Sequence, residues 1–163
     1  MNFPKPGELN ELPVHLDMAI PAEWEDRNGH VNVQFYQALY ELGAWVVLED
    51  IGFDEAWFEQ QQVSMFDLEH HLHYRAELKV GERTLAYNRV LARSEKCFHG
   101  MYFIVNETSG RLAATLEYIT ACVDMNSRRI SAFPEELDRG LDRLLEQHLG
   151  LSWVAPTCGL MSP

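Results

Sequence analysis

Residues from about 33 to 51 read as one helix that is apolar over most of its girth. Phe35, Leu39, Leu42 and Val46 make one line at helical spacing, and Tyr36, Tyr40, Gly43 and Val47 make a second beside it. Ala38, Trp45 and Leu48 widen the surface, so that only Gln34, Gln37 and Glu41 form a polar strip before Glu49 and Asp50. A helix of this kind is not laid on a surface by one dry face. Other elements must wrap it. It is too short and too interrupted to cross a membrane, and Gly52 stands where a C-cap glycine would end it.

The wrapping has to come from strands. Val14, Leu16, Met18 and Ile20 alternate with His15, Asp17 and Ala19, which predicts a half-buried strand ahead of the helix. Residues 54–62 read as a short helix or an ordered loop. Beyond them Met65 to Arg75 alternates Phe66, Leu68, Leu72 and Tyr74 against Asp67, Glu69, His71 and His73, with His70 on the apolar side. Thr84–Arg93, Cys97–Asn106 and Arg111–Asp124 are three further strands, separated by short turns around Gly81 and Gly110. Short connections favour antiparallel neighbours. The expected architecture is α+β, a five-stranded antiparallel sheet curled around the central helix. Pro134 opens a last helix to Leu149, with Leu137, Leu141, Leu144 and Leu145 on one face. One domain over 1–163 is expected, its core at about 13–130 and its C-terminal helix at about 134–149. Residues 1–12 read as a loose arm, and the tail from Ser152 shows no pattern.

Charge narrows the partners. The 163 residues carry 25 acidic and 13 basic side chains, a formal net charge of -12, and a polyanion such as nucleic acid is repelled by that surface. Cys97, Cys122 and Cys158 are odd in number and widely spaced, so neither a disulfide framework nor a zinc knuckle is expected, and a reducing compartment fits. No signal-peptide core opens the chain and no apolar run is long enough to span a membrane. A cytoplasmic protein is expected.

The chemistry points to the stretch Trp24 to Tyr36. It sets Asp26 just ahead of a glycine turn, and the apolar helix starts at once. A helix start offers unpaired N–H groups and the positive end of the dipole, which suit a developing oxyanion. An acid beside such a site is the minimum for acyl transfer. Spacing alone leaves open that Asp26, Asn28 and Asn32 only shape a loop and cap the helix.

The order of elements, with the signature Asp26-x-x-Gly29-His30-x-Asn32 and Tyr36 following, resembles the hotdog-fold acyl-CoA thioesterases of the 4-hydroxybenzoyl-CoA thioesterase type, over about residues 13–130. Glu23-Trp24 and Glu69-His70-His71 look closest to the betainyl-CoA thioesterase branch. The resemblance implies homodimers joined through sheet edges, often dimers of dimers, with the active site at the dimer interface near the start of the central helix. It implies an acyl thioester of coenzyme A as substrate, with no separate cofactor. It assigns the attack on the thioester carbonyl, or activation of a water, to Asp26. The N–H that binds the thioester oxygen falls to Val33.

Around these residues the sequence offers further candidates. His30 and Asn32 orient Asp26 or a water, or else pack and cap. Glu69, His71 and His73 share a strand face, from which Glu69 or His71 would reach into the partner's site. Arg93, Arg128 and Arg129, with Arg75, Lys79, Arg89 and Lys96, are candidates for a basic rim that meets the CoA phosphates. Trp24, Tyr36, Tyr40, Trp45, Trp57 and Phe58 are candidates for an aromatic cage around a cationic acyl group such as a trimethylammonium. The His71-x-His73 pair with Glu69 has zinc-ligand character, but no further ligand is evident downstream, and no metal is expected. Two rival functions remain: a non-catalytic acyl-binding or scaffolding module, and an enoyl hydratase or dehydratase built on a His with Glu69 or Asp26.

Overall fold

A computed structural model describes residues 2–163. A short helix α1 (Pro6–Leu9) leads to β1 (Val14–Ala19), a single 3-10 turn (Ala22–Trp24) and the long helix α2 (Gln34–Asp50). Helix α3 (Glu55–Gln61) precedes β2 (Val63–Tyr74), β3 (Arg83–Arg93), β4 (Cys97–Asn106), β5 (Arg111–Asp124), the two-residue β6 (Arg129–Ile130) and α4 (Glu135–Leu149). The strands make one antiparallel sheet in the order β1-β3-β4-β5-β2, and β6 adds to the end of β5. The expected sheet around a central helix is present, with β6 as an extra strand.

Helix α2 seats Tyr36, Leu39, Tyr40, Gly43 and Val47 against the sheet. Gly43 allows a close approach, since a Cβ there would stand 3.0 Å from Cε1 of Tyr102. Within one chain the sheet covers α2 on one side. Leu42, Trp45 and Val46 are 49%, 53% and 37% exposed, because one sheet covers one side of a helix only.

Two register shifts re-aim side chains against simple alternation. The first lies between Val14 and Leu16 in β1. It turns Val14 outward and buries His15, whose Nε2 sits 3.3 Å from Asp50 at the end of α2. The second lies between Asp67 and Glu69 in β2. It leaves Asp67 and His70 on the helix side and sends Glu69, His71 and His73 to the outer face.

The arm and tail also depart from expectation. Leu9 and Leu12 from the arm and Trp153 from the tail are buried together on Tyr87, Met101, Phe103 and Val105, across the sheet from α2. That apolar outer face of β3 and β4 needs cover, and the two termini supply it.

Helix α4 lies along β3 where β1 no longer pairs with it. The Val90 N–H donates to Nδ1 of His148 at 2.8 Å, a ladder bond supplied by a side chain. Gly140 lets α4 cross the end of α2 in backbone contact, since a Cβ there would lie 2.1 Å from the Ile51 carbonyl oxygen.

Burial, with Arg89 nearby, pushes the His148 imidazole down to about 4 from its ordinary 6.5. The fold therefore holds it neutral. Its contribution is complete above the unfolded value and is lost as pH falls from 6.5 towards 4, at most about 3 kcal/mol. His148→Asn keeps an acceptor near the Nδ1 position and removes the titration. Urea unfolding at pH 7 and pH 4.5 is expected to show a smaller acid loss for this variant than for the wild type. Equal losses would mean that the His148 contact does not set the acid stability.

Candidate active site

The loop before α2 is a tight hairpin. Asp26 N–H donates to the His30 carbonyl at 2.9 Å, Gly29 N–H donates to the Asp26 carbonyl at 3.0 Å, and Glu25 bridges Val31. Gly29 has φ of +76°, a backbone region that side chains disfavour and that this turn requires. The hairpin is tied to the body where Val31 N–H donates to the Leu78 carbonyl at 2.8 Å.

Within it the Asp26 carboxylate accepts two bonds from Asn28. Its Oδ1 accepts the Asn28 backbone N–H at 2.7 Å and its Oδ2 accepts Asn28 Nδ2 at 3.1 Å. His30 Nδ1 lies 3.7 Å from Oδ1 and donates to the Val31 carbonyl at 3.1 Å. The Asn28 backbone bond, ahead of its side-chain bond and the His30 charge, holds the Asp26 carboxyl below the usual carboxylate range. Asp26 is thus ionised at neutral pH, as a base or nucleophile must be.

At the helix start Asn32 caps, its Oδ1 accepting the Gln34 N–H at 3.2 Å, while its own N–H donates to the Trp24 carbonyl. The Val33 N–H has no acceptor among the described residues. His30, Val33, Tyr36, Tyr74 and Arg75 line one groove of about 270 Å³. Tyr36 is buried, its hydroxyl pushed up by that burial. Trp24 stacks on Phe35 at 4.8 Å beside the hairpin. The structure therefore gathers Asp26, His30, Asn32, Val33, Tyr36 and Trp24 around the start of α2, with Arg75 as the nearby cation.

Other candidates lie elsewhere. Arg93 is corrected: its guanidinium binds the Asp138 carbonyl, Asp138 and Asp142, and only 12% of its side chain is exposed. It ties β3 to α4. Arg89 is likewise buried, donating to the carbonyls of Trp153 and His148 and lying over the Trp153 ring. Glu69 and His71 occupy the sheet face away from α2. Arg128 and Arg129 are exposed beyond the far end of β5. Since β5 pairs Ala114 with Tyr74 and Asp124 with Val63, ten residues of strand, roughly 30 Å, separate them from the Asp26 end within one chain.

The sequence reading missed a second polar centre. Asp67 accepts the Tyr40 hydroxyl at 2.8 and 2.9 Å and the Thr120 hydroxyl at 2.5 Å, and His70 Nε2 lies 3.1 Å away. Gln37 donates to the other ring nitrogen of His70 at 3.1 Å. Burial pushes the Asp67 carboxyl up, but the bonds from His70, Thr120 and Tyr40 outweigh it and hold it low. Asp67 and Glu41 open on a cavity of about 110 Å³ under α2, walled by the aromatic rings of Tyr40, Trp45, Phe53, Phe98, Tyr102 and Tyr118. The proposed cage residues divide: Tyr40 and Trp45 face this cavity, Trp24 and Tyr36 stand at the helix start, and Trp57 and Phe58 pack near Phe53. His70 on the apolar side was the one available signal, because alternation assigns Asp67 to the opposite face unless a bulge intervenes.

A curled antiparallel sheet holding one long helix, with an acid loop at that helix's start, defines a hotdog-fold protein. The family profile described as Thioesterase-like superfamily matches residues 20–141, and the chain belongs to that superfamily. It is similar to a betainyl-CoA thioesterase of Pseudomonas aeruginosa, 28% identical over 88% of this chain and 90% of the relative. It is also 31% identical, over 86% of its length, to an L-carnitine dehydrogenase/betainyl-CoA thioesterase of Agrobacterium fabrum, of which it spans only 29%. Among solved structures, a Staphylococcus aureus protein in complex with CoA superposes with a TM-score of 0.80 at 21% identity, covering 88% of this chain and 90% of that one.

Asn28→Ala removes one of the two Asn28 bonds to Asp26 and keeps the larger backbone bond. A carbon-detected NMR titration is expected to show the Asp26 carboxyl rising, while staying below its ordinary 3.8. An unchanged midpoint would mean that the side-chain bond does not form in solution.

Proposed function

We propose that this protein hydrolyses an acyl-CoA thioester to the free acid and CoA. The observation that carries this is an ionised Asp26 carboxylate in the same hairpin-and-helix start as the Val33 N–H, which has no acceptor among the described residues. The thioester oxygen accepts the Val33 N–H. Asp26 either takes a proton from a water that attacks the carbonyl carbon, or attacks it directly to give an anhydride that water then opens. In both routes the C–S bond breaks and CoA leaves as a thiolate that is protonated. The N–H, pre-aligned at the positive end of α2, stabilises the oxyanion as charge develops. Asn32 acts through the cap, fixing the backbone that presents that N–H, and His30 holds the side of the carboxylate.

The site is completed by a second copy. Among the described strands β2 is an edge with one side unpaired, and the exposed Leu42, Trp45 and Val46 need cover. Pairing β2 with its copy about a two-fold axis is antiparallel. It lays the Val63 end of one chain beside the Tyr74 end of the other. The groove beside the Asp26 hairpin of one protomer, lined by His30 and Val33, then meets its partner's opposite end, which carries the aromatic cavity and the Arg128–Arg129 turn. The cations on that turn suit CoA phosphates, and the cavity suits the acyl group. Free cysteines and a CoA substrate fit a reducing cytoplasm.

A cationic acyl group, of the trimethylammonium kind, fits this pocket best. Aromatic faces attract such a cation, Asp67 and Glu41 add negative charge, and the relatives above are named for betainyl-CoA. The hydratase reading loses its support, since His71 and Glu69 lie on the sheet face away from α2.

The test is thiol release from a panel of acyl-CoAs, including a trimethylammonium acyl group and its neutral carbon isostere, with wild type and Asp26→Asn compared. Hydrolysis is expected, the cationic substrate favoured by roughly tenfold or more, and the variant slower by about 10²–10⁴-fold. Activity that survives the substitution would remove Asp26 from the chemistry. Equal turnover of cation and isostere would remove the cage, and tight binding without release would make this a binding module.

A further inference from the structure

The sheet face away from α2 carries a cluster that thioester hydrolysis does not use. Glu117 of β5 is 2% exposed. His71 stands opposite it on β2, and His99 lies on β4, two residues from Met101, which pairs with Glu117 from the other side. The tail brings Cys158 over the same spot, its N–H donating to Glu117 Oε2 at 2.7 Å. His71 Nδ1 is 3.8 Å from that oxygen, and one ligand atom each from His71, Glu117 and Cys158 lie within 4.8 Å of one another. Among the described residues Glu117 pairs with histidines only, and with no lysine or arginine.

A buried carboxylate is costly without a positive charge beside it. We propose that this cluster binds a zinc ion through His71 Nδ1, Glu117 Oε2 and Cys158 Sγ, with water in the fourth position. A carboxylate and a thiolate together balance the charge of the ion. The donor set, one nitrogen, one oxygen and one sulfur, is the borderline mixture that zinc accepts. Tetrahedral ligands at zinc distances stand roughly 3.3–3.8 Å apart, so closure needs a shift of about an ångström, within the reach of a terminal segment. His99 holds the other carboxylate oxygen at 2.9 Å and fixes the orientation of Glu117, as outer partners of zinc ligands do. The Leu160 N–H donates to Cys158 Sγ at 3.4 Å, a bond that suits a thiolate. The ion fastens the tail to the sheet. It differs from the His71–His73–Glu69 combination read from spacing, because Glu69 is exposed and His73 contributes no atom to the three-ligand cluster.

The full chain, freed of any purification tag and never exposed to chelator, is analysed for metal by mass spectrometry, titrated with zinc against a chromophoric chelator, and loaded with cobalt. Expected are one zinc per chain, a near-ultraviolet thiolate-to-cobalt band, and loss of that band in Cys158→Ser with affinity lowered about 100-fold or more. Glu69→Gln and His73→Ala are expected to bind as the wild type does. Cys158 lies in the tail, so its variant, checked for unchanged circular dichroism, tests the site without disturbing the core. Absence of stoichiometric zinc and of the cobalt band in the wild type, or equal binding by Cys158→Ser, would overturn the proposal.

Discussion

The seating of α2 on the sheet is the constraint on which the rest depends. Gly43 admits the Tyr102 ring, Tyr40 reaches across to Asp67, and Val47 continues the buried line towards the contact with α4. That seating fixes where the helix begins, and so where the Val33 N–H points. It also decides which apolar residues are left over. With Tyr36, Leu39 and Tyr40 turned inward, Leu42 and Val46 face outward and Trp45 is half exposed at the rim of the cavity, and an uncovered stripe beside an unpaired strand edge is a demand for a second surface.

The long helix, the strands and the acid loop were legible in the sequence because each rests on local periodicity or on turn chemistry. The Asp26 hairpin is such a case: Gly29 at positive φ and Asn28 folded back on the carboxylate are near-neighbour effects. What could not be read depended on distant partners. The bulges at Val14/Leu16 and Asp67/Glu69 reverse the faces that alternation assigns, and within the strands only His70 on the apolar side of β2 hints at the second. Arg93 looked like a free surface cation because its partners, Asp138 and Asp142, come from a helix more than forty residues later. The arm and tail lack any period of their own and become ordered only against the face formed by Tyr87, Met101 and Phe103.

The same physics places polar chemistry at two ends of one helix. At its start, hydrogen bonds from Asn28 keep Asp26 ionised while the carboxylate stays accessible. Along its length, Tyr40, Thr120 and His70 keep Asp67 ionised inside an aromatic wall. One chain holds these centres apart, and a two-fold axis perpendicular to β2 would bring unlike ends together. The proposed dimer thus assigns the catalytic acid and the acyl pocket to different protomers.

Subunit complementation tests that claim most directly. Two inactive variants are co-expressed: Asp26→Asn, and Ala44→Phe, which fills the aromatic cavity that Ala44 lines. Random pairing makes half of the dimers mixed, and each mixed dimer keeps one intact acid facing one intact pocket, so activity should return to about a quarter of the wild-type level. No recovery, with mixed dimers shown to have formed, would mean that each Asp26 serves the pocket of its own chain, contradicting the shared site.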